Sequence, residues 1–133
     1  MERTAMKKTT AVIPIVLICI VMMIVCRDVW KYSAGAESVI ADKQLFRLLS
    51  AMFLHGSLIH MASNMIMLFC TAYVFMEFYS VPRFYAVYLF SGLLGGFLAC
   101  LVRYALHSDV VSVGASGACM GILGADLAAV IKN

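Results

Sequence analysis

The chain has 133 residues, 64% of them hydrophobic and 13% charged, with a formal net charge of +3. That balance excludes a soluble domain and predicts an integral membrane protein, with room for about four helical spans of roughly 20 residues each and no separate soluble domain. The positive charges are scattered, with no basic run interleaved with aromatics, which excludes a nucleic-acid partner.

Residues 1–8 form a short segment carrying Arg3, Lys7 and Lys8, and a first apolar span follows over about residues 9–25, closed by Arg27 and Asp28. Lys7 and Lys8 favour a cytoplasmic N-terminus by the positive-inside rule, which makes the chain a multi-pass protein of the plasma (inner) membrane. A cleaved signal peptide is the rival reading of this span, with Ala34-Gly35-Ala36 as its cleavage site, but the approach to that site is long and charged. Residues 27–57 mix Lys31, Glu37, Asp42, Lys43 and Arg47 with short apolar pairs, the pattern of an interfacial loop with short amphipathic helices. A second span is predicted over residues 58–76, with Ser57 as its N-cap and Glu77 at its end, and Val81-Pro82-Arg83 as the turn that follows.

The third span covers residues 84–102 and stops at Arg103, and the fourth runs from near residue 110 to 131. Both carry stripes of small residues: Ser91, Gly95 and Ala99, then Gly92, Gly96 and Cys100, then Gly117, Gly121, Gly124 and Ala128. Such stripes let helix backbones approach closely. The five cysteines fall in or beside apolar segments without a Cys-x2-Cys pair, and read as small apolar fillers. With the N-terminus inside, the loop of residues 27–57 and the head of the fourth span share the outer side.

Ser116 lies in Gly114-Ala115-Ser116-Gly117 at that head, and His55, His60 and Asn64 follow one another as His-x4-His-x3-Asn at the head of the second span. His60 and Asn64, four apart, share one helix face. Polar groups are costly in lipid, so they should face protein or a water-filled cavity. A zinc site is disfavoured because the five-residue step from His55 to His60 has no His-Glu-x-x-His frame and no completing ligand, so neither a metal nor another cofactor is expected. Taken singly, His60 and Asn64 read as interhelical hydrogen-bonding groups and Ser116 as a helix-entry serine. The soluble hydrolase elbow Gly-x-Ser-x-Gly is excluded by Ala118. Taken together they suit chemistry, because backbone N–H groups at a helix N-terminus, joined by imidazole and carboxamide donors, can hold a developing oxyanion. Hydrolysis would still need a base for the serine proton. His107 reads as a solvated loop residue, and Asp126, about 15 Å deeper than Ser116 along the helix, needs a partner or the inner boundary near Lys132.

The run Phe46-Arg47, the stretch His55-Gly56-Ser57-Leu58-Ile59-His60-Met61-Ala62-Ser63-Asn64, then Ser91-Gly92-Leu93-Leu94-Gly95-Gly96, and finally Gly114-Ala115-Ser116-Gly117-Ala118 together resemble the rhomboid intramembrane serine proteases. The resemblance implies an all-α polytopic helical bundle, about four transmembrane helices being present of an expected six, with residues 9–133 as a membrane domain truncated after its fourth span. It implies Ser116 as nucleophile and His60, Asn64 and the Ser116 N–H as oxyanion donors, with Arg47, His55, Gly114 and Gly117 structural. Glu77 resembles a structural glutamate of the family, although its spacing from Asn64 is one residue long, and Met120 stands where the family often has an aromatic. The implied partners are the lipid bilayer and transmembrane segments of protein substrates, cut near the outer boundary. The family's base is a histidine on its sixth span, which His55, His60 and His107 do not replace, so this chain alone is expected to be inactive. The alternative is a rhomboid-like protein that binds transmembrane helices without cutting them, against which the retained Ser116 hydroxyl speaks. A small membrane protein of unrelated role is the third reading, disfavoured by the number of motif positions that agree.

Overall fold

A computed structural model of the chain describes residues 10–133; the charged segment of residues 1–8 and Thr9 lie outside the described residues. The order is α1 (Ile13–Val25), one 3-10 turn (Val29–Tyr32), a π-helical turn (Glu37–Ala41), α2 (Phe46–Ala51), α3 (Leu58–Phe78), α4 (Val81–Ala105) and α5 (Ser116–Lys132). The described residues are all-helical apart from connecting loops and one isolated antiparallel bridge, in which Ala34 and Ser112 exchange N–H···O bonds of 3.0 and 2.8 Å.

Local chemistry explains the boundaries. Ser57 caps α3 as predicted, its hydroxyl accepting the His60 N–H at 3.0 Å. α4 begins at Val81, three residues earlier than predicted, because a proline in the first helical turn loses no hydrogen bond there. α5 begins at Ser116, about six residues later than predicted. The Ala34–Ser112 bridge and a 2.8 Å bond from the Gly114 N–H to the Ala51 carbonyl hold the preceding loop onto the first loop, so those residues cannot join the helix.

α3 and α4, with 21 and 25 residues, are long and apolar enough to cross a membrane. At about 1.5 Å per residue they reach roughly 32 and 38 Å, which covers a hydrocarbon core. α1 and α5 are shorter, with 13 and 17 residues.

α5 packs along both α3 and α4, which meet each other far less, so its first turn is held between them. Phe75, Phe84, Tyr88, Leu68, Cys119 and Ile122 are fully buried at this junction. The small-residue stripes contribute unevenly. A Cβ on Gly121 would lie 2.1 Å from Ser91 Oγ, so this pair sets the α4–α5 approach, whereas Gly92 makes room for the Met52 side chain from the first loop and Gly95, Gly117 and Gly124 face open space. A second apolar cluster of Ala34, Val39, Leu48, Ala51 and Cys100 anchors that loop on α4. All five cysteines are free and only Cys70 is exposed. Asp126 is 4% exposed, and its Oδ1 has no hydrogen-bond partner among the described residues.

Candidate active site

α5 opens with unsatisfied donors. Its first helical bond runs from the Cys119 N–H to the Ala115 carbonyl at 3.0 Å, so the N–H groups of Ser116, Gly117 and Ala118 have no acceptor in the helix. Ser116 is exposed at this positive helix end.

Gly114 brings the other polar groups to the same turn. Its φ of +110° is one that side-chain-bearing residues rarely adopt, and an added Cβ would sit 2.8 Å from His60 Nε2 and 3.0 Å from Asn64 Nδ2. Both side chains of the predicted pair therefore press on the Cα of Gly114, two residues before Ser116. Asn64 is 4% exposed, and its Nδ2 has no hydrogen-bond partner among the described residues. A buried amide donor left unpaired costs about 1–3 kcal/mol, so one retained beside a candidate nucleophile points to an acceptor that arrives later. His60 and Ser116 line one cavity of about 470 Å³, together with Met52, Gly92, Gly96 and Gly117.

A Gly114→Ala substitution should therefore strike stability and site together. The positive φ strains alanine by about 1–2 kcal/mol, and the methyl must also displace His60 or Asn64. A lower melting temperature in detergent, not rescued by Gly114→Ser, is the expected outcome.

His55 contributes through the turn. It is 2% exposed, its Nε2 accepts the Ala115 N–H at 3.4 Å, and its ring meets His60 edge-on with centroids 5.1 Å apart. Accepting at Nε2 requires the neutral imidazole protonated at Nδ1. Burial, reinforced by the neighbouring His60, lowers its pKa from 6.5 to about 4, against a smaller opposing pull from the Phe53 backbone. The unfolded chain thus binds a proton below about pH 6.5 that the folded chain refuses until about pH 4, and stability falls as pH drops through that window. Melting curves between pH 7.5 and 4 should show this loss, and His55→Gln should flatten it.

Arg47 lies at the start of the first-loop helix. Its Nε donates to Gln44 Oε1 at 2.5 Å, and its Nη1 donates to the Lys31 and Ser33 carbonyls, so it ties three points of the loop together. Gly117 borders the cavity with its Cβ direction open. Glu77 is not brought to this cluster. It lies 17 positions beyond His60 in α3, about 25 Å along the axis. His107 lines a different cavity, which first-loop residues also border, and Met120 is exposed. Two backbone groups, the Ala51 carbonyl and the Ala115 N–H, fix the Ser116 turn without any side-chain signature that a sequence could display.

A family model describing the Rhomboid domain matches residues 42–133. Among curated proteins, the chain is 37% identical over 103 residues to RHOMBOID-like protein 5 of Arabidopsis thaliana, an alignment covering 77% of this chain and 33% of that protein. It is 37% identical over 98 residues to RHOMBOID-like protein 7 of the same plant, covering 71% and 29%. With Rhomboid protease GluP of Bacillus subtilis it shares 32% identity over 102 residues, covering 77% and 19%. The chain thus spans about a fifth to a third of the length of these relatives. No solved structure matches it. The matched region takes in α2, α3, α4, the Ser116 turn and α5, and the chain belongs to the membrane-embedded rhomboid family.

Proposed function

We propose that this chain carries the nucleophile and oxyanion side of an intramembrane serine endopeptidase that cleaves transmembrane segments of other proteins. The observation that supports it most is the convergence of His60 and the unpartnered Asn64 amide on Gly114, beside the exposed Ser116. In this reading the Ser116 hydroxyl oxygen attacks the scissile carbonyl carbon, and the new oxyanion accepts hydrogen bonds from the Ser116 N–H, His60 and Asn64. The serine proton passes to a base and then to the leaving amine, and water afterwards hydrolyses the acyl-serine ester. His55 and Arg47 hold the first loop and the nucleophile turn, and Gly114 and Gly117 keep the turn open. Glu77 serves the far end of α3 structurally.

The base is the histidine of a further rhomboid span outside these 133 residues, because His55 Nε2 already accepts from Ala115 and His107 lines another cavity. α1 and α5 join α3 and α4 as four spans of a six-span bundle, in the plasma (inner) membrane with a cytoplasmic N-terminus and the Ser116 turn outside. The isolated chain is then inactive: a fluorophosphonate probe should leave Ser116 unlabelled in it and label Ser116 once the spans bearing the histidine are present. Strong labelling of the isolated chain at Ser116 would show that another base operates.

The absence of any hydrogen bond to the Ser116 hydroxyl among the described residues also suits a second reading, a rhomboid-like protein that binds transmembrane helices without cutting them. Photocrosslinking of client helices to the folded 133-residue chain, with no cleavage when the further spans are present, would favour it.

A further inference from the structure

The cavity lined by His107 is about 610 Å³ and is bordered by Arg47 and Arg103, by Glu37 and Asp109, and by Trp30 and Tyr104; Ser116 does not line it, although Trp30 and Arg103 also border the neighbouring Ser116 cavity. Arg103, in the last turn of α4, donates from Nη1 to Ser112 Oγ, and Arg47 is held by the carbonyls of Lys31 and Ser33. Both guanidinium groups are fixed by neutral oxygens, and neither forms an ion pair among the described residues. Glu37 and Asp109 border the same space without closing on them. Two positioned cations and two carboxylates facing one opening match a ligand that carries a phosphate beside an ammonium group, since a guanidinium fork suits phosphate oxygens and a carboxylate suits an ammonium.

The location narrows the source. The cavity opens at the C-terminal end of α4, a helix long enough to cross the bilayer, so it lies at the lipid boundary. Trp30 and Tyr104 are 63% and 46% exposed there, and amphipathic rings of this kind settle at headgroup depth. The volume falls within the range of small-molecule sites.

We propose that this outer cavity binds the headgroup of a zwitterionic aminophospholipid, with the phosphate on Arg47 and Arg103 and the ammonium on Glu37 and Asp109. The site does not depend on the serine chemistry. A bound lipid there would tie the first loop to the loop that leads into α5.

Trp30 is the single tryptophan of the chain and borders both cavities, so its fluorescence reports occupancy, and Asp109, which lines only the proposed site, assigns the signal to it. The 133-residue protein in a maltoside detergent is titrated with short-chain phosphatidylethanolamine, phosphatidylcholine and phosphatidylglycerol, and with water-soluble glycerophosphoethanolamine. A saturable change is expected with phosphatidylethanolamine at about tenfold lower concentration than with the other two lipids. Arg103→Gln should weaken it about tenfold or more, with far-ultraviolet circular dichroism unchanged. If Arg103→Gln fails to fold, Arg103→Lys, which keeps the charge and loses the fork, should show a smaller weakening. Asp109→Asn, at an exposed position, should erase the preference over phosphatidylglycerol.

The absence of a saturable change, or an unchanged affinity in a folded Arg103→Gln protein, would overturn the proposal. Equal saturation by glycerophosphoethanolamine would reassign the site to a free phosphoamine and overturn the lipid source. Saturation by a peptide of mixed charge where the lipids fail would make it a protein-docking site instead.

Discussion

Replacing Ser116 with alanine in a chain that carries the further rhomboid spans should abolish cleavage of a transmembrane substrate, by about 10⁴-fold or more, while leaving the fold intact. The two effects separate because Ser116 is exposed at the first position of α5 and its hydroxyl makes no hydrogen bond among the described residues. Removing it therefore breaks no cap and opens no core cavity, and surface changes of this kind stay within about 0.5 kcal/mol. The capping serine of α3 supplies the contrast. Ser57→Ala loses the bond to the His60 N–H and should cost about 1 kcal/mol, because that hydroxyl does structural duty. Cleavage is followed by the appearance of product on a gel, and stability by the melting temperature of the same preparation. Cleavage surviving in Ser116→Ala would remove the protease assignment, since no other residue has been placed to form the acyl bond.

The two long helices were legible because their signals are local. Ser57 caps and the apolar runs continue without interruption, so α3 and α4 fall within three residues of expectation at each end, although Val81, Pro82 and Arg83, expected as the connecting turn, form the first turn of α4. The start of α5 was not legible, because what delays it is a pairing between Ala34 and Ser112, 78 positions apart, and apolar periodicity carries no trace of such a contact. The stripes are legible in part: Ser91 and Gly121 meet between α4 and α5 as such stripes predict, whereas the space that Gly92 leaves is filled by Met52 from the first loop. Within the site, the shared face of His60 and Asn64 followed from four-residue spacing, but nothing in the spacing shows that both rest on Gly114. Nor does the spacing show that His55 reaches the Ala115 N–H. Glu77, which enters only through the resemblance and as a structural residue, stands near the C-terminal end of α3, where the end of that span is expected.

The second large effect concerns Asn64, whose amide separates catalysis from stability. Its Nδ2 is buried and unpaired among the described residues, so the group is a cost to the fold until an acceptor arrives. If that acceptor is the oxyanion, Asn64→Ala should lower kcat by about 10²–10³-fold with little change in KM, because the lost hydrogen bond forms only as negative charge develops. The melting temperature should hold or rise, since the orphaned donor is removed at the expense of only a small cavity. Asn64→Asp should be worse than alanine for kcat, because a carboxylate in that position places an acceptor and, when ionised, a like charge against the oxyanion. His60 tests whether the two side chains act on the same atom. The His60→Ala and Asn64→Ala losses should fall short of additivity in the double variant, as they do when groups serve one transition-state charge, whereas fully additive losses would mean that only one of them reaches it. An Asn64→Ala enzyme with unchanged kcat and a lowered melting temperature would return Asn64 to the role of an interhelical hydrogen-bonding group, and leave the Ser116 N–H and His60 as the only donors at the site.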